Sequence, residues 1–445
     1  MNVLIANGFS DSLRKTEHWP HWWVQRIAWF ARAGDILILP GEPDPDFFQY
    51  VASMTDTPFG EISVLILPDH QNGPASLSER LLDAGFMADF FGALRGREIT
   101  SLFALWPDAE LTDFARATGM NMTAQGWPFL SQDGGRLANS KSVFRALAAG
   151  AGVSIPRGGV CQDPTAAFRL ICDLFREGED VIIKQDYMTG GKGNVILTRG
   201  GDFNAVGARE VVVMDADDHL RQWLTGHWST LTGGPGERIV IERYFRGSRA
   251  VFAEYRIDDE ACRLWGTGEL LSSPFACGQV MPPAGFSEKA LRCIEHEGEQ
   301  LARSLQLLGY RGYVSADAIV TPEGDVFFTE YNGRVTGSTH IYAVIGQQVI
   351  GNSFGKERLL LERIWPEGWS TPSFRDALLT LTQAGLAYDS DTRKGVILTN
   401  AWNPDSSGVM YCIAAADLQE ARESEITMAS LFSASRVLSL PPLPY

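Results

Sequence analysis

The chain has 445 residues, of which 45% are hydrophobic and 21% are charged, as is ordinary for a folded protein of several domains. Its formal charge of −16, with no cluster of lysine and arginine, argues against a nucleic-acid-binding surface, so no nucleic-acid partner is expected. A bound nucleotide would have to be held by individual lysines, arginines, backbone N–H groups and a divalent cation. The six cysteines are scattered without paired spacing, which indicates neither a zinc site nor a disulfide framework.

Hydrophobic runs in the sequence are short. The apolar run near the N-terminus is too short for a signal peptide, and no later run approaches the ~20 residues of a membrane span. We therefore expect a cytoplasmic protein with no membrane partner.

The first third of the chain alternates short apolar runs with helical patterns. The runs NVLIANG, DILILPG, ISVLILPD and ITSLFALWPD end in turn residues and predict strands. Helices are predicted between them, among others at residues 78–94 and 110–118. This alternation predicts a parallel α/β domain over residues 1–125. The aromatic segment HWPHWWVQRIAWF, residues 18–30, predicts a helix that packs its tryptophans.

A glycine-rich stretch at residues 184–194, KQDYMTGGKGN, lies between the apolar runs VII and VILT. Lys192 is followed by glycine rather than by Ser or Thr, so the P-loop pattern is absent and the stretch predicts strand, turn and strand. Gly190, Gly191 and Gly193 suit a turn that needs positive φ angles. The stretch is therefore either a plain hairpin turn or a loop that holds phosphate groups.

Two further segments place polar residues beside predicted elements. Lys141 precedes a predicted helix at residues 142–149, a position where a lysine alone says little. The sequence RIVIERYF predicts a strand that ends at Glu242 and leads into Tyr244 and Phe245. Neither segment identifies a function by itself.

The segment GYVSADAIVTPEGDVFFTEYNGR predicts an antiparallel hairpin, because TPEG is a turn with proline at its second position. If the strands pair directly from the ends of this turn, Asp317 lies opposite Phe328. In that register Asp317, Glu330 and Asn332 share one face and form the kind of oxygen-rich set that Mg²⁺ prefers. A slip of one residue would move Asp317 to the other face. The alternative is a solvated polar face without a metal.

Taken in order, these four segments resemble the ATP-grasp superfamily over roughly residues 137–342. The resemblance implies an α+β ATP-grasp domain at residues 126–355, with a first lobe to about residue 240 and a second lobe at 241–355. The predicted N-terminal α/β domain would be the domain that usually precedes it. Residues 356–445 would form a C-terminal extension, for which the apolar pattern predicts helix, strand, strand and helix.

The resemblance also implies ATP and Mg²⁺ as cofactors. Two lysines would bind the ATP phosphates, the glycine-rich turn would close over them, and the strand ending at Glu242 would meet adenine. The hairpin face would hold Mg²⁺, and Arg334 would hold the reacting carboxyl group or acyl phosphate. The candidate residues are, for catalysis, Arg334 and Lys184; for ATP, Lys141, Lys184, Gly190, Gly191, Lys192, Gly193, Asn194, Glu242, Tyr244 and Phe245; and for the metal, Asp317, Glu330 and Asn332.

Two positions depart from the pattern of D-alanine-type ligases in this superfamily. Arg249 occupies the position at which an acidic residue grips the ribose, and Ser315 occupies the position of an arginine two residues before the metal aspartate. The ribose contact is therefore unassigned. Stabilisation of an acyl phosphate rests on Arg334 or on a residue that the sequence does not identify.

Within the superfamily, the layout and the extension are most similar to the peptide ligase of pheganomycin biosynthesis and its relatives. This resemblance implies ATP-dependent joining of a small carboxylic acid to an amine or peptide acceptor through an acyl phosphate, releasing ADP and phosphate, in peptide natural-product (antibiotic) biosynthesis. An ATP-grasp ligase with another acceptor and a non-catalytic ATP-binding regulatory protein are the alternatives. The extension holds no catalytic candidate, and we interpret it as a structural cap or a homodimer contact.

Overall fold

The computed structural model describes residues 1–8, 21–68, 76–124, 126–201 and 203–433. Its strands form three sheets of four, five and eight strands. The six cysteines are free thiols. Within the described residues, no helix combines the length and the apolar character that a membrane crossing requires.

The N-terminal region contains the predicted parallel sheet with helices between its strands. The strands are β1 (Asn2–Ile5), β2 (Ile36–Leu39), β3 (Ser63–Ile66) and β4 (Ser101–Ala104), in the order β3-β2-β1-β4. The helices are α1 (His21–Val24), α2 (Pro45–Met54), α3 (Leu77–Leu81), α4 (Ala84–Leu94) and α5 (Glu110–Ala117), with 3₁₀ turns at Gln25–Phe30 and Phe59–Glu61. The α/β prediction for this region is confirmed.

The helix predicted over residues 78–94 is divided into α3 and α4. The division lies at Asp83, whose side chain accepts a hydrogen bond from the Phe86 N–H at 3.0 Å and so caps a new helix. The aromatic segment is helical from His21 onward, as predicted, while residues 18–20 lie outside the described residues. The capping residue Asp83 therefore divides the predicted helix into two helices.

The five-stranded sheet follows in the chain and has the order β5-β9-β6-β7-β8. Its strands are β5 (Gly158–Cys161), β6 (Asp180–Gln185), β7 (Asn194–Thr198), β8 (Glu210–Val213) and β9 (Ile239–Tyr244), antiparallel except for the pair β7 and β8. The helices are α6 (Trp127–Leu130), α7 (Gly134–Leu137), α8 (Lys141–Gly150), α9 (Pro164–Arg176) and α10 (Asp217–Thr232). The predicted end of the first lobe, near residue 240, falls within β9.

The eight-stranded sheet is antiparallel and has the order β14-β13-β10-β11-β12-β15-β17-β16. Its strands are β10 (Arg249–Ile257), β11 (Cys262–Ser272), β12 (Ala276–Met281), β13 (Gly312–Val320), β14 (Val326–Asn332), β15 (Leu359–Arg363), β16 (Gly395–Leu398) and β17 (Tyr411–Ala415). The helices are α11 (Glu288–Leu308), a π-helix at Ile341–Ile350, α12 (Phe354–Glu357), α13 (Phe374–Gln383) and α14 (Leu418–Phe432). The helix, strand, strand and helix predicted for the extension correspond to α13, β16, β17 and α14, while β15, which precedes them, was not predicted. The three strands of the extension continue this sheet.

The extension packs on the N-terminal region. The indole Nε1 of Trp29, which is fully buried, donates a hydrogen bond to the Thr399 carbonyl oxygen at 2.9 Å. The rings of Phe47 and Phe374 meet edge to face with their centroids 5.6 Å apart. A single apolar cluster therefore contains residues of the N-terminal region and of the extension, and it holds these two parts of the chain together.

A buried ion pair joins helix α14 to strand β15. Arg363 on β15 and Glu425 on α14 are both fully buried, with Nε and Oε1 2.9 Å apart. The Tyr411 hydroxyl donates to the same carboxylate oxygen at 3.0 Å, and Arg422 pairs with its other oxygen at 2.6 Å. Both oxygens of the Glu425 carboxylate are therefore paired in an apolar surrounding, while Nη2 of Arg363 has no hydrogen-bond partner among the described residues.

We expect Glu425→Gln to lower the free energy of unfolding by about 3–5 kcal/mol, because it leaves the buried Arg363 cation without a counter-charge. Urea unfolding of the whole chain measures the change. Glu423→Gln on the exposed face of the same helix is the control and should change stability by less than about 0.5 kcal/mol. Equal stability of the two variants would contradict this account of the ion pair.

Candidate functional site

A cleft of about 1070 Å³ lies between the five-stranded and eight-stranded sheets. Every candidate residue predicted from the sequence lines it, except Gly193 in the glycine-rich turn. The cleft continues past these residues to Trp22 and Trp23 of α1 and to Glu362 of β15. The four sequence segments are therefore brought together, as the resemblance implied.

The start of α8 is tied to the end of β6 by one aspartate. Asp186 Oδ1 accepts hydrogen bonds from the Ser140 hydroxyl at 2.9 Å and from the Ser142 N–H at 2.8 Å. Ser140 in turn caps the helix by accepting from the Val143 N–H at 3.1 Å. Because Lys141 is the first residue of α8, this link fixes it beside the strand that carries Lys184.

Both lysines are buried and paired with carboxylates. Lys141 Nζ lies 2.9 Å from Glu330 Oε2 and donates to the Met188 carbonyl oxygen at 2.6 Å. Lys184 Nζ lies 2.6 Å from Glu242 Oε2. Each ammonium group is 8% exposed or less, so its charge is screened little by solvent. The two cations are thus held in the cleft before any anion binds.

Glu242 is fully buried between two cations. Its Oε1 lies 2.5 Å from Nη1 of Arg145, and its Oε2 faces Lys184. Arg145 also donates to the Pro156 carbonyl oxygen at 3.1 Å. Sequence reasoning assigned Glu242 to adenine and missed Arg145, although Arg145 lies four residues after Lys141 and so on the same side of a helix. In the structure, the Glu242 carboxylate balances the buried positive charges of Arg145 and Lys184.

The aromatic residues after Glu242 line the cleft beside the strand end. Tyr244 stacks on Phe203 with ring centroids 6.0 Å apart, and its hydroxyl donates to the Val206 carbonyl oxygen at 3.4 Å. Phe245 stacks on Phe327 at 4.8 Å. These rings form a flat apolar wall of the kind on which a planar base can lie.

The glycine-rich turn connects β6 to β7 and has the predicted hairpin geometry, with Lys184 opposite Asn194. Gly190 and Gly191 have φ angles of +63° and +81°, which side chains rarely adopt. Asn194 Nδ2 donates to the Gly207 carbonyl oxygen at 2.8 Å, which ties the turn to the next loop. Lys192 lies on the exposed side of the turn.

The hairpin of β13 and β14 differs from the predicted register at two places. Gly324 has a φ of +91° and lies inside the turn, so the turn is one residue longer than predicted and Ala318, not Asp317, faces Phe328. A β-bulge at Thr329 then adds a second residue to β14. The two shifts together place Asp317 directly opposite Glu330. The register prediction was wrong by one residue near the turn, yet the carboxylates still share a face.

The carboxylates of this face are linked by hydrogen bonds. Asp317 Oδ1 accepts from the Ser315 hydroxyl at 2.6 Å, and its Oδ2 accepts from Asn332 Nδ2 at 2.9 Å. Burial and the nearby Glu330 carboxylate raise the pKa of Asp317 to about 7. Burial alone would also raise the pKa of Glu330, but the Lys141 and Lys184 ammonium groups lower it overall. Two carboxylates this close repel each other, and a cation between them would remove the repulsion.

The donor set fits a hard cation. It consists of two carboxylates and the Asn332 amide oxygen, which accepts from Arg334 Nη1 at 2.5 Å but has a second lone pair. Within the described part of the chain, no group of three His, Cys, Asp or Glu could hold a metal ion alone. A cation here would therefore complete its shell with water or substrate oxygens, as Mg²⁺ usually does.

Arg334 is half-buried beside the hairpin face that carries Asp317, Glu330 and Asn332. Its Nη1 donates to Asn139 Oδ1 at 2.5 Å as well as to Asn332, and its guanidinium lies 4.5 Å from the ring centroid of Trp106. Burial lowers the pKa of Arg334 to about 10, so it is still a cation at neutral pH. It is positioned to meet an anion in the cleft.

Glu269 is an acidic residue that sequence reasoning missed. Arg249 forms a two-point ion pair with it, with Nε–Oε1 and Nη2–Oε2 distances of 2.7 Å and 2.6 Å, and both residues line the cleft. Glu269 lies on β11, opposite Val251 of β10. A carboxylate therefore lies next to position 249, but on the neighbouring strand. The spacing of residues within one segment could not reveal this neighbour.

Known protein families match two parts of the chain. A family described as the Pre ATP-grasp domain matches residues 24–120, and one described as the PGM1 C-terminal domain matches residues 376–426. Among curated proteins, a phosphoribosylamine–glycine ligase from Xylella fastidiosa is 24% identical over 236 residues, which cover 52% of this chain and 43% of that protein. The chain therefore matches less than half the length of this relative.

Solved structures are similar over nearly the whole chain. Biotin carboxylase from Campylobacter jejuni, in a β-γ-ATP complex, has a TM-score of 0.58 and 15% identity and covers 97% of this chain and 91% of its own. The L-amino acid ligase from Bacillus licheniformis has a TM-score of 0.53 and 11% identity and covers 96% of each chain. These likenesses concern the fold. The chain has the ATP-grasp fold after a pre-ATP-grasp domain, and the closer resemblance to the pheganomycin-type ligase stays a prediction.

Two neighbouring glycines give a matched test of the turn. A Cβ at Gly191 would lie 2.7 Å from the Gly207 carbonyl oxygen, whereas a Cβ at Gly190 would meet nothing within 4 Å. We expect Gly191→Ala to displace the turn and to weaken binding of a non-hydrolysable ATP analogue by roughly tenfold or more, because the strain is about 1–3 kcal/mol. Gly190→Ala shares only the positive φ and should have the smaller effect. Calorimetric titration measures both, and equal losses would contradict a closely fitted turn.

Proposed function

We propose that the chain is an ATP-dependent carboxylate–amine ligase that forms an amide (peptide) bond through an acyl phosphate. The observation that supports this most is that the buried Lys141 and Lys184, the half-buried Arg334 and the carboxylates of Asp317 and Glu330 line one cleft. The two lysines lie beside the glycine-rich turn, and the arginine lies beyond the carboxylates. This order provides successive places for phosphates, a metal ion and a carboxylic acid.

The residues present fit ATP as a substrate. Lys141 and Lys184 would exchange their carboxylate partners for phosphate oxygens, with little movement because both are already held in the cleft. The backbone of the glycine-rich turn would close over the phosphates. Tyr244 and Phe245 would face the base, and Glu269 is the candidate for the ribose hydroxyls.

Asp317, Glu330 and Asn332 would hold Mg²⁺. When bound, this cation would neutralise charge on the phosphate oxygens. Its ligands are those of the hairpin face, whose direct pairing across the two strands brings the carboxylates together. Arg334, hydrogen-bonded to Asn332, would lie next to the same phosphate oxygens.

The reaction would take place in two steps. A carboxylate oxygen of the acid attacks the γ-phosphorus, an O–P bond forms, and ADP leaves. The amine nitrogen then attacks the acyl carbon, and phosphate leaves with a proton from the nitrogen. Arg334 would orient the carboxylate and offset the charge that develops near it, while Lys184 would do the same for the transferred phosphoryl group.

The comparisons support this class of reaction. The names of two similar proteins, a phosphoribosylamine–glycine ligase and an L-amino acid ligase, describe the ligation of amino acids. We therefore propose an amino acid or a similar small acid as the activated substrate. Peptide natural products are the proposed product class, on the basis of the resemblance to the pheganomycin-type ligase.

Trapping with hydroxylamine tests the reaction. The chain is incubated with ATP, Mg²⁺, hydroxylamine and each of the common amino acids in turn, and we expect one or more acids to give a hydroxamate together with an equal amount of ADP. With ¹⁸O in the carboxyl group of a reactive acid, the label should appear in the released phosphate. Release of AMP and pyrophosphate, or phosphate free of label, would overturn the proposal.

Lys184→Ala tests the phosphate role. Removing one preorganised charge typically costs about 3–4 kcal/mol of transition-state stabilisation, so we expect turnover to fall roughly 10²- to 10³-fold. Lys192→Ala is the matched control, because that lysine lies on the exposed side of the turn and should matter less. ADP formation is measured for both variants. Near-normal turnover of Lys184→Ala would exclude its assignment to the phosphates.

A further inference from the structure

The cleft extends beyond Arg334 to a polar group that the proposed phosphoryl transfer does not use. Arg26, Gln279 and Glu362 line this end and are 5%, 4% and 3% exposed. They come from the 3₁₀ turn after α1, from β12 and from β15. Three distant parts of the chain therefore build one buried polar corner of the cleft.

Glu362 is held on one side only. Gln279 Nε2 donates a hydrogen bond to Glu362 Oε2, and the two residues face each other across β12 and β15. Glu362 Oε1 is buried and has no hydrogen-bond partner among the described residues. Buried polar atoms are almost always paired, so a buried carboxylate oxygen without a partner at the wall of a cleft indicates a ligand.

Arg26 provides the positive charge of this corner. Its Nη1 donates to the Trp23 carbonyl oxygen at 2.9 Å, while its Nε is buried without a hydrogen-bond partner in the described structure. Burial lowers the pKa of Arg26 to about 9, opposed by the Glu362 carboxylate. The two groups therefore affect each other through space but do not form an ion pair within 4.0 Å among the described residues. Each side chain therefore has a buried polar atom at the cleft wall that no direct ion pair between them satisfies.

The charges distinguish the two substrates. The acid must place its carboxylate beside the phosphates, where Arg334 is a favourable neighbour. A carboxylate such as Glu362 would repel that group, but it would attract the amino group of the second substrate. Arg26 in the same corner has the reverse preferences, so the assignment of this end of the cleft to the acceptor depends on Glu362.

We propose that Glu362, oriented by Gln279, binds the free amino group of an amino acid or peptide acceptor and takes a proton from it. This inference rests on the proposed ligase function and assigns the acceptor subsite within it. It also gives the C-terminal extension, where the sequence offered no catalytic candidate, one residue in the site.

The proton balance is simple. The acceptor ammonium gives one proton to the Glu362 carboxylate, and the neutral nitrogen attacks the acyl carbon. The C–N bond forms, the C–O bond to phosphate breaks, and phosphate leaves with the second proton. Glu362 returns its proton to water. Burial raises the pKa of Glu362 to about 8, although the Gln279 hydrogen bond and Arg26 lower it. This value is close to the roughly 7.7–8.0 of an α-amino group, so Glu362 is the proton-accepting carboxylate above about pH 8, and the amine reaction is measured there.

Glu362→Gln with two nucleophiles tests the inference. The first is hydroxylamine, which is small and uncharged near neutral pH, and the second is glycine or glycylglycine, which carries an ammonium group. Both are used with the acid that gives the most hydroxamate in the wild-type chain. We expect the variant to keep hydroxamate formation and the KM of the acid within about twofold, and to lose roughly tenfold or more in kcat/KM for the amine.

The outcomes separate the inference from the ligase function. If the wild-type chain forms no hydroxamate, the ligase proposal itself fails. If hydroxamate and amide formation fall equally, or the amide reaction is unchanged, Glu362 does not bind the acceptor. A raised KM for the acid with hydroxylamine would place Glu362 in the acid subsite and overturn the inference.

Two further variants complete the test. Glu367→Gln removes an exposed carboxylate five residues away and should leave both reactions unchanged. If Glu362→Gln does not fold, Glu362→Asp retains the charge but withdraws it by one methylene, and it should lower only the amine reaction. Failure of both Glu362 variants to fold would show a structural role and contradict the inference.

Discussion

The arrangement of the cleft depends on the balance of buried charge between its two sheets. Lys141 pairs with Glu330 across the cleft, and Lys184 and Arg145 pair with Glu242 on the side of the five-stranded sheet. A buried ion without a partner would be strongly destabilising, so each group fixes the position of its partner. Since the chain is acidic overall, these few local pairs are what keep positive charge in the cleft.

The eight-stranded sheet connects the parts of the site. Its edge strand β14 carries Glu330 and Asn332, its middle strands carry Arg249 and Glu269, and β15 carries Glu362. The strands of the extension therefore continue the sheet that carries the Asp317 and Glu330 carboxylates. Its packing on the N-terminal region, through Trp29 and Phe374, also encloses the far end of the cleft.

The sequence predicted the parts that depend on local patterns. The strands and helices of the N-terminal region, the glycine-rich turn and the hairpin could be found from periodicity and turn residues, whereas Lys141 and Lys184 were assigned through the resemblance to the ATP-grasp superfamily. Residues that act across strands could not be found in this way. Glu269 lies beside Arg249 on a neighbouring strand, and Glu362 reaches the cleft through a sheet order that brings β12 beside β15. Arg145 was detectable, because its helical spacing from Lys141 was visible in the sequence.

The hairpin of β13 and β14 illustrates how two irregularities can depend on each other. The longer turn at Gly324 shifts the pairing by one residue, and the bulge at Thr329 shifts it by one more. Either alone would turn Asp317 and Glu330 to opposite faces of the sheet. A relative that shortened this turn would therefore preserve the paired carboxylates only if it also lost the bulge, so the two features should be gained or lost as a pair during evolution.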